Sequence, residues 1–186
     1  MKFLLYLKNI LQLILSPSNG WKDIQQEDQP LETLTRNGQY PLMALMLLTV
    51  FIRPVYGIEH FELVPLLQKA LVQFVALFIA LYGGKAIMEH YLPLYNYTGE
   101  HDPVAVGNVA VYGTGLMTVI QMIENLIPTE LTVIQMLPAF AAICIWKANQ
   151  YLDIERAGET KYMLICTASL ILPVIAINVL MSYIIG

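Results

Sequence analysis

The chain has 186 residues, 57% of them hydrophobic and only 13% charged, against roughly a quarter charged in ordinary soluble domains. Its mean hydropathy is +0.59, and 10 Lys+Arg stand against 14 Asp+Glu for a net charge of -4. This composition excludes a disordered chain, a fibrous protein and a disulfide scaffold, argues against a soluble enzyme, and offers no basic patch for nucleic acid. The expectation is an all-α membrane protein with several spans.

The first 16 residues predict a helix. Lys2, Asn9, Gln12 and Ser16 fall on one stripe with Lys8 beside it, while Phe3, Leu4, Leu7, Ile10, Leu11, Ile14 and Leu15 cover the rest. This pattern fits an amphipathic helix lying in the membrane plane, with a re-entrant segment or an uncleaved signal as the alternatives. Lys8 and Asn9 interrupt the apolar core that a signal peptide needs, and Leu15-Ser16-Pro17-Ser18 is a poor cleavage site. Pro17 ends the helix, and Trp21 is placed to anchor the next turn at the headgroups. Residues Lys22–Asn37, with Asp23, Glu27, Asp28 and Glu32, are the most polar stretch and read as a solvated cytoplasmic linker. The division expected is residues 1–37 as in-plane helix and linker, then residues 38–186 as a bundle.

Stretches without Asp, Glu, Lys or Arg then run Asn37–Ile52, Ala70–Gly84, Pro103–Ile123, Leu131–Trp146 and Tyr162–Gly186. A spanning helix needs about 20 mostly apolar residues, and a charge near one end is tolerated because Lys and Arg stems run along apolar surface. Five spans follow: Tyr40–Ile58, Leu63–Tyr82 with continuation to Tyr91, Pro103–Ile123, Leu131–Tyr151 and Tyr162–Ile185. They must be helical, because lipid offers bare backbone no partner. With the N-terminus inside, Lys2, Lys8, Lys22, Arg36, Lys85, Lys147, Arg156 and Lys161 lie at the inner side and only Arg53 and Lys69 lie outward. That bias predicts N-in and, for five spans, C-out. Tyr40, Tyr82, Tyr91, Trp146, Tyr151 and Tyr162 would mark the inner interface, and Tyr56 and Tyr183 the outer one.

The segment Ser16-Pro17-Ser18-Asn19-Gly20-Trp21-Lys22-Asp23-Ile24 resembles the SPxxxW entry of bacterial Yip1-domain proteins, in which an N-terminal amphipathic helix leads into a five-span bundle. Pro41-Leu42 at the first span and Tyr82-Gly83-Gly84-Lys85 at the inner end of the second fit the same layout. The resemblance implies a multi-pass protein of the bacterial inner membrane, with no catalytic residues and no cofactor to carry over. Its expected role is a scaffold or adaptor working through membrane lipids, other membrane proteins or copies of itself.

Candidate functional groups are few. Charges within spans are the default candidates in lipid. Arg53, just before Pro54, and Glu124, closing the third span, both lie towards the outer face. One reading pairs them; the other has each reach the interface alone. Ala110, Thr114 and Thr118 repeat at four-residue spacing, a small face along which helices approach closely. It suits either the monomer core or a seam between copies. Each histidine has an acidic neighbour, Glu59-His60, Glu89-His90 and His101-Asp102, but the spacing fits no zinc-ligand pattern, and no metal is expected. Cys144 and Cys166 lie in apolar runs and read as small hydrophobes. Ser169 and Thr167 have no base nearby, so no enzyme is expected. The rival reading is a small-solute transporter or channel. Pro138 and Pro173 would break its helices, and Asn178, Gln121 and Gln135 with scattered hydroxyls are what it could use for a midplane cavity.

Overall fold

A computed structural model describes residues 2–27, 29–56, 61–92, 103–127, 134, 136–152 and 154–185. The described residues are helical almost throughout. In chain order the helices are α1 (Lys2–Leu15), α2 (Pro17–Glu27), α3 (Leu31–Tyr56), α4 (Leu63–Tyr91), α5 (Pro103–Leu126), α6 (Leu137–Trp146) and α7, which runs as Glu159–Cys166, Thr167–Ile171 and Leu172–Ile185. Four helical runs are long and apolar enough to cross a membrane: Leu31–Tyr56, Leu63–Tyr91, Pro103–Leu126 and Arg156–Met181.

The fifth expected span, Leu131–Tyr151, is described only in part. Its α-helical portion has 10 residues, a rise of about 15 Å at 1.5 Å per residue, and continues as a 3-10 turn through Lys147–Asn149. Five spans and the N-in, C-out topology therefore remain expectations.

Two helices widen at the same place relative to a proline. Thr35–Gln39 of α3 and Thr167–Ile171 of α7 are single π turns, and Pro41 and Pro173 each follow two residues later. A proline inside a helix has no N–H to give, and its ring collides with the carbonyl four residues back. Bonding five residues apart moves that carbonyl aside. The Tyr40 N–H reaches the Thr35 carbonyl, and the Leu172 N–H reaches that of Thr167. The helices continue past their prolines, and the extra residue turns Gln39 and Ser169 into the core.

Helix α5 is the axis of the bundle. Of its span 83% is buried, against 41%, 33% and 28% for α3, α4 and α7. Small residues make this possible. A Cβ on Gly107 would sit 2.7 Å from Leu31 of α3, and one on Gly113 would sit 2.9 Å from Leu170 of α7. Leu31 beside Gly107, Gln39 beside Thr118 and Thr49 beside Asn125 set α3 parallel to α5. Helix α4 runs the opposite way, with Gln73 against Asn125 and Gly84 against Ser169 of α7. Apolar side chains cover the outside, including Leu67, Leu71, Val75, Phe78 and Ile79 on α4 and Leu172, Ile175 and Leu180 on α7. Water-soluble monomers seldom leave so broad an apolar surface bare, whereas lipid requires it.

The N-terminal region departs from the sequence expectation in three ways. Asn9, placed on the polar stripe of α1, is 1% exposed. The exposed positions of α1 include Leu4, Lys8, Leu11 and Leu15 instead. Trp21, expected at the headgroups, is 2% exposed. Residues 22–37, expected as a linker, are helical through Glu27 and again from Leu31, with Ile24 and Leu34 buried. The cause is a tight hairpin: Gly20 lets α2 approach α1 so closely that a Cβ there would lie 2.9 Å from the Leu13 backbone.

Candidate functional site

The interior polar groups form two layers along α5. Nearer its Pro103 end, the Tyr6 ring enters a slot walled by glycines. A Cβ on Gly38 would lie 2.5 Å from the Tyr6 ring, and one on Gly115 would lie 2.5 Å from its hydroxyl. The hydroxyl donates to Gln39 Oε1 at 2.6 Å and approaches the Val111 carbonyl at 3.3 Å. Gln39 Nε2 donates to Thr118 Oγ1 at 3.2 Å. Burial, with a smaller push from the Tyr112 phenol, holds the Tyr6 hydroxyl well above its ordinary pKa, so it stays a donor.

Beside this slot, Asn9 Nδ2 donates to Glu27 Oε2 at 2.7 Å and to the Tyr112 hydroxyl at 3.1 Å. Tyr112 stacks on Tyr6 with ring centroids 5.1 Å apart, and Trp21 stacks on Tyr151 at 5.9 Å. Trp21 Nε1 donates to the Cys144 carbonyl at 2.8 Å, the polar handle a buried tryptophan needs. Asn108 Nδ2 donates to the Tyr151 hydroxyl at 2.9 Å. The α1–α2 hairpin is thus stitched to α3, α5 and α6.

The second layer lies towards the Leu126 end. Gln73 Nε2 donates to Asn125 Oδ1 at 3.1 Å, and Asn125 Nδ2 returns a bond to Gln73 Oε1 at 2.9 Å and reaches Thr49 Oγ1 at 3.2 Å. This closed amide pair ties α3, α4 and α5 where lipid offers no competing partner.

One buried amide has no such partner. Gln121 is 2% exposed, and among the described residues neither its Oε1 nor its Nε2 makes a hydrogen bond. It lines a half-open cleft of about 270 Å³ between α5, α6 and α7. Val174, Ile175 and Val179 supply apolar wall, and Glu124 and Asn178 also line it. Asn178 Nδ2 donates to the Val174 carbonyl of its own helix at 2.9 Å.

The sequence-derived candidates fall as follows. Ala110, Thr114 and Thr118 are each 0% exposed within the chain itself. Thr118 accepts from Gln39, while the Thr114 hydroxyl donates to the Ala110 carbonyl. Glu124 is partly buried at the Gln121 cleft. The backbone of Arg53 lies in the 3-10 end of α3; its side chain lies outside the described residues, so the pairing with Glu124 is untested. His60, His101 and Gln135 also lie outside them. Cys144 and Cys166 are buried and free. Tyr40 and Tyr82, expected at one interface, meet hydroxyl to hydroxyl. The residues that sequence reasoning missed are Tyr6, Asn9, Gln39, Gln73 and Asn125. A polar side chain inside a strongly apolar helix was the available signal for Gln73 and Asn125.

No protein-family model matches the chain, no characterised protein is similar to it in sequence, and no solved structure matches its fold.

Proposed function

We propose that this protein is a multi-pass scaffold or adaptor of the Yip1-like kind, resident in a bacterial inner membrane and acting through lipid or protein partners. The supporting observation is how the interior amides and hydroxyls are used. Gln39, Gln73, Asn125, Thr49 and Thr118 bond to one another or to Tyr6 across helices. They hold a shape and do not face a common path. The outward stripe Leu4, Lys8, Leu11 and Leu15 gives α1 an apolar, basic face suited to the cytoplasmic leaflet or a partner helix. The test places a photo-reactive amino acid at Leu11 or Leu15 in native membranes. Crosslinks to lipid or to one membrane protein are expected, and their absence at both positions counts against the reading.

A small-solute transporter is the second reading. It is favoured by the Gln121 cleft, where three polar side chains meet apolar walls. Osmotic swelling of proteoliposomes in polyols and amino acids separates the two, and flux above empty vesicles would overturn the scaffold.

A further inference from the structure

We infer that the pocket between the start of α3 and the Tyr82 turn of α4 binds the headgroup of a zwitterionic phospholipid with a primary ammonium, of the phosphatidylethanolamine class. The pocket holds about 510 Å³ and is lined by Leu31, Glu32, Thr35, Arg36, Tyr40 and Tyr82. Its polar groups are within reach of an occupant: Glu32 and Arg36 are exposed, and Tyr40 and Tyr82 are 38% and 43% exposed. Glu32 and Arg36 stand four residues apart with the acid first, the better order for an ion pair on a helix. Among the described residues neither makes one, whereas Lys85 and Glu89 at the same spacing meet at 3.4 Å. The Tyr40 and Tyr82 hydroxyls bond to each other, which uses one of their two hydrogens and leaves the other to donate outward. The Thr35 hydroxyl spends its hydrogen on the Leu31 carbonyl at 2.9 Å.

The lining selects the headgroup. Arg36 and the spare tyrosine hydrogen suit a phosphate, which a guanidinium fork grips through parallel bonds. A phosphate alone would face the Glu32 carboxylate. An attached ammonium answers that charge, and a primary one donates hydrogen bonds that a quaternary one has no N–H to make. Depth and surface select a lipid as the carrier. The 26 residues of α3 rise about 39 Å, more than the roughly 30 Å hydrocarbon core, so its charged first turns stand at headgroup level. The Tyr82 ring packs on Phe78 at 4.6 Å and Phe78 on Phe74 at 6.0 Å, a row of rings leading from the pocket towards mid-span. Phe78 is 41% exposed, so an acyl chain can lie along it. This inference rests on the membrane placement of α3 and α4 and not on the scaffold reading.

The test offers the full chain, in mixed micelles, equal amounts of phosphatidylethanolamine, phosphatidylcholine and phosphatidylglycerol of matched acyl chains, and reads the retained lipid by native mass spectrometry. Phosphatidylethanolamine should be enriched about tenfold over each competitor, the worth of one charge-assisted hydrogen bond. Arg36→Gln should abolish that enrichment. Glu32→Gln should move the preference to phosphatidylglycerol, because it removes the ammonium's partner and the repulsion of a bare anion together. Soluble phosphoethanolamine should leave the retained lipid in place. Equal retention of the three lipids, a wild-type preference for phosphatidylglycerol, a preference unchanged in both variants, or displacement by the soluble ester would each overturn the inference. Should either variant fail to fold, a photo-reactive amino acid at Phe78 in otherwise wild-type protein decides. It should crosslink phosphatidylethanolamine in preference to the other two lipids, and indifference among them refutes the proposal.

Discussion

The Tyr6 slot makes a quantitative prediction about how the N-terminal hairpin is held. In Gly115→Ala the new methyl would lie 2.5 Å from the Tyr6 hydroxyl, 2.9 Å from the Ile10 Cδ1 and 3.3 Å from Gln39 Oε1. The hydroxyl cannot retreat without breaking its 2.6 Å bond to Gln39, so overpacking should cost about 1–3 kcal/mol. Tyr6→Phe removes the hydroxyl and strands Gln39 Oε1 in a buried site, also costing about 1–3 kcal/mol. The two changes together should not add. Without the hydroxyl the methyl has room, and what remains is the end of the Ile10 side chain, which moves cheaply. The double variant should therefore cost about what Tyr6→Phe costs alone, a coupling equal to the Gly115→Ala cost, about 1–3 kcal/mol. At about 2–4 °C per kcal/mol for a chain of this size, thermal unfolding resolves that difference. Trp21 fluorescence is a suitable signal, because its indole sits in the same hairpin and bonds to α6. Additivity within about 0.5 kcal/mol would refute the slot.

Four further outcomes are expected. Gln73→Leu or Asn125→Leu alone strands a buried amide and should lower stability by about 1–3 kcal/mol, while the double Leu variant should come close to wild type in chemical unfolding. Cysteines at Lys8 and Leu11 should react with an impermeant thiol reagent from the cytoplasmic side only, whereas one at the buried Asn9 should stay silent; labelling from outside contradicts the N-in topology. A reporter active only in the cytoplasm, fused after Gly186, should be inactive if the chain has five spans, and activity would remove one of them. If Arg53 and Glu124 pair, Arg53→Ala and Glu124→Ala should be non-additive in thermal unfolding by roughly 0.5–3 kcal/mol; additivity leaves each charge to find the interface alone.

The membrane class and the four long helices were legible because lipid demands one local property, a sustained apolar run, and the sequence states it residue by residue. The expected starts at Leu63 and Pro103 coincide with the observed ones, as charges and prolines mark those ends locally. The glycines of α5 admit Leu31, Leu170 and Tyr6 at close range, and that these would be their neighbours was not legible in the sequence. Periodicity misplaced Asn9 and Trp21, because it ranks side chains by their own polarity and takes no account of available partners. Asn9 turns inward only because Glu27, eighteen residues away, and Tyr112, over a hundred away, converge on it. Trp21 is buried because Gly20 lets the hairpin close and the Cys144 carbonyl receives its indole N–H. The sequence on its own determined that the helices must bury their backbone groups and show lipid an apolar face. The tertiary structure decided which polar side chains satisfy one another, and which one, Gln121, is left with none among the described residues, because hydrogen bonding depends on distance in space and not along the chain.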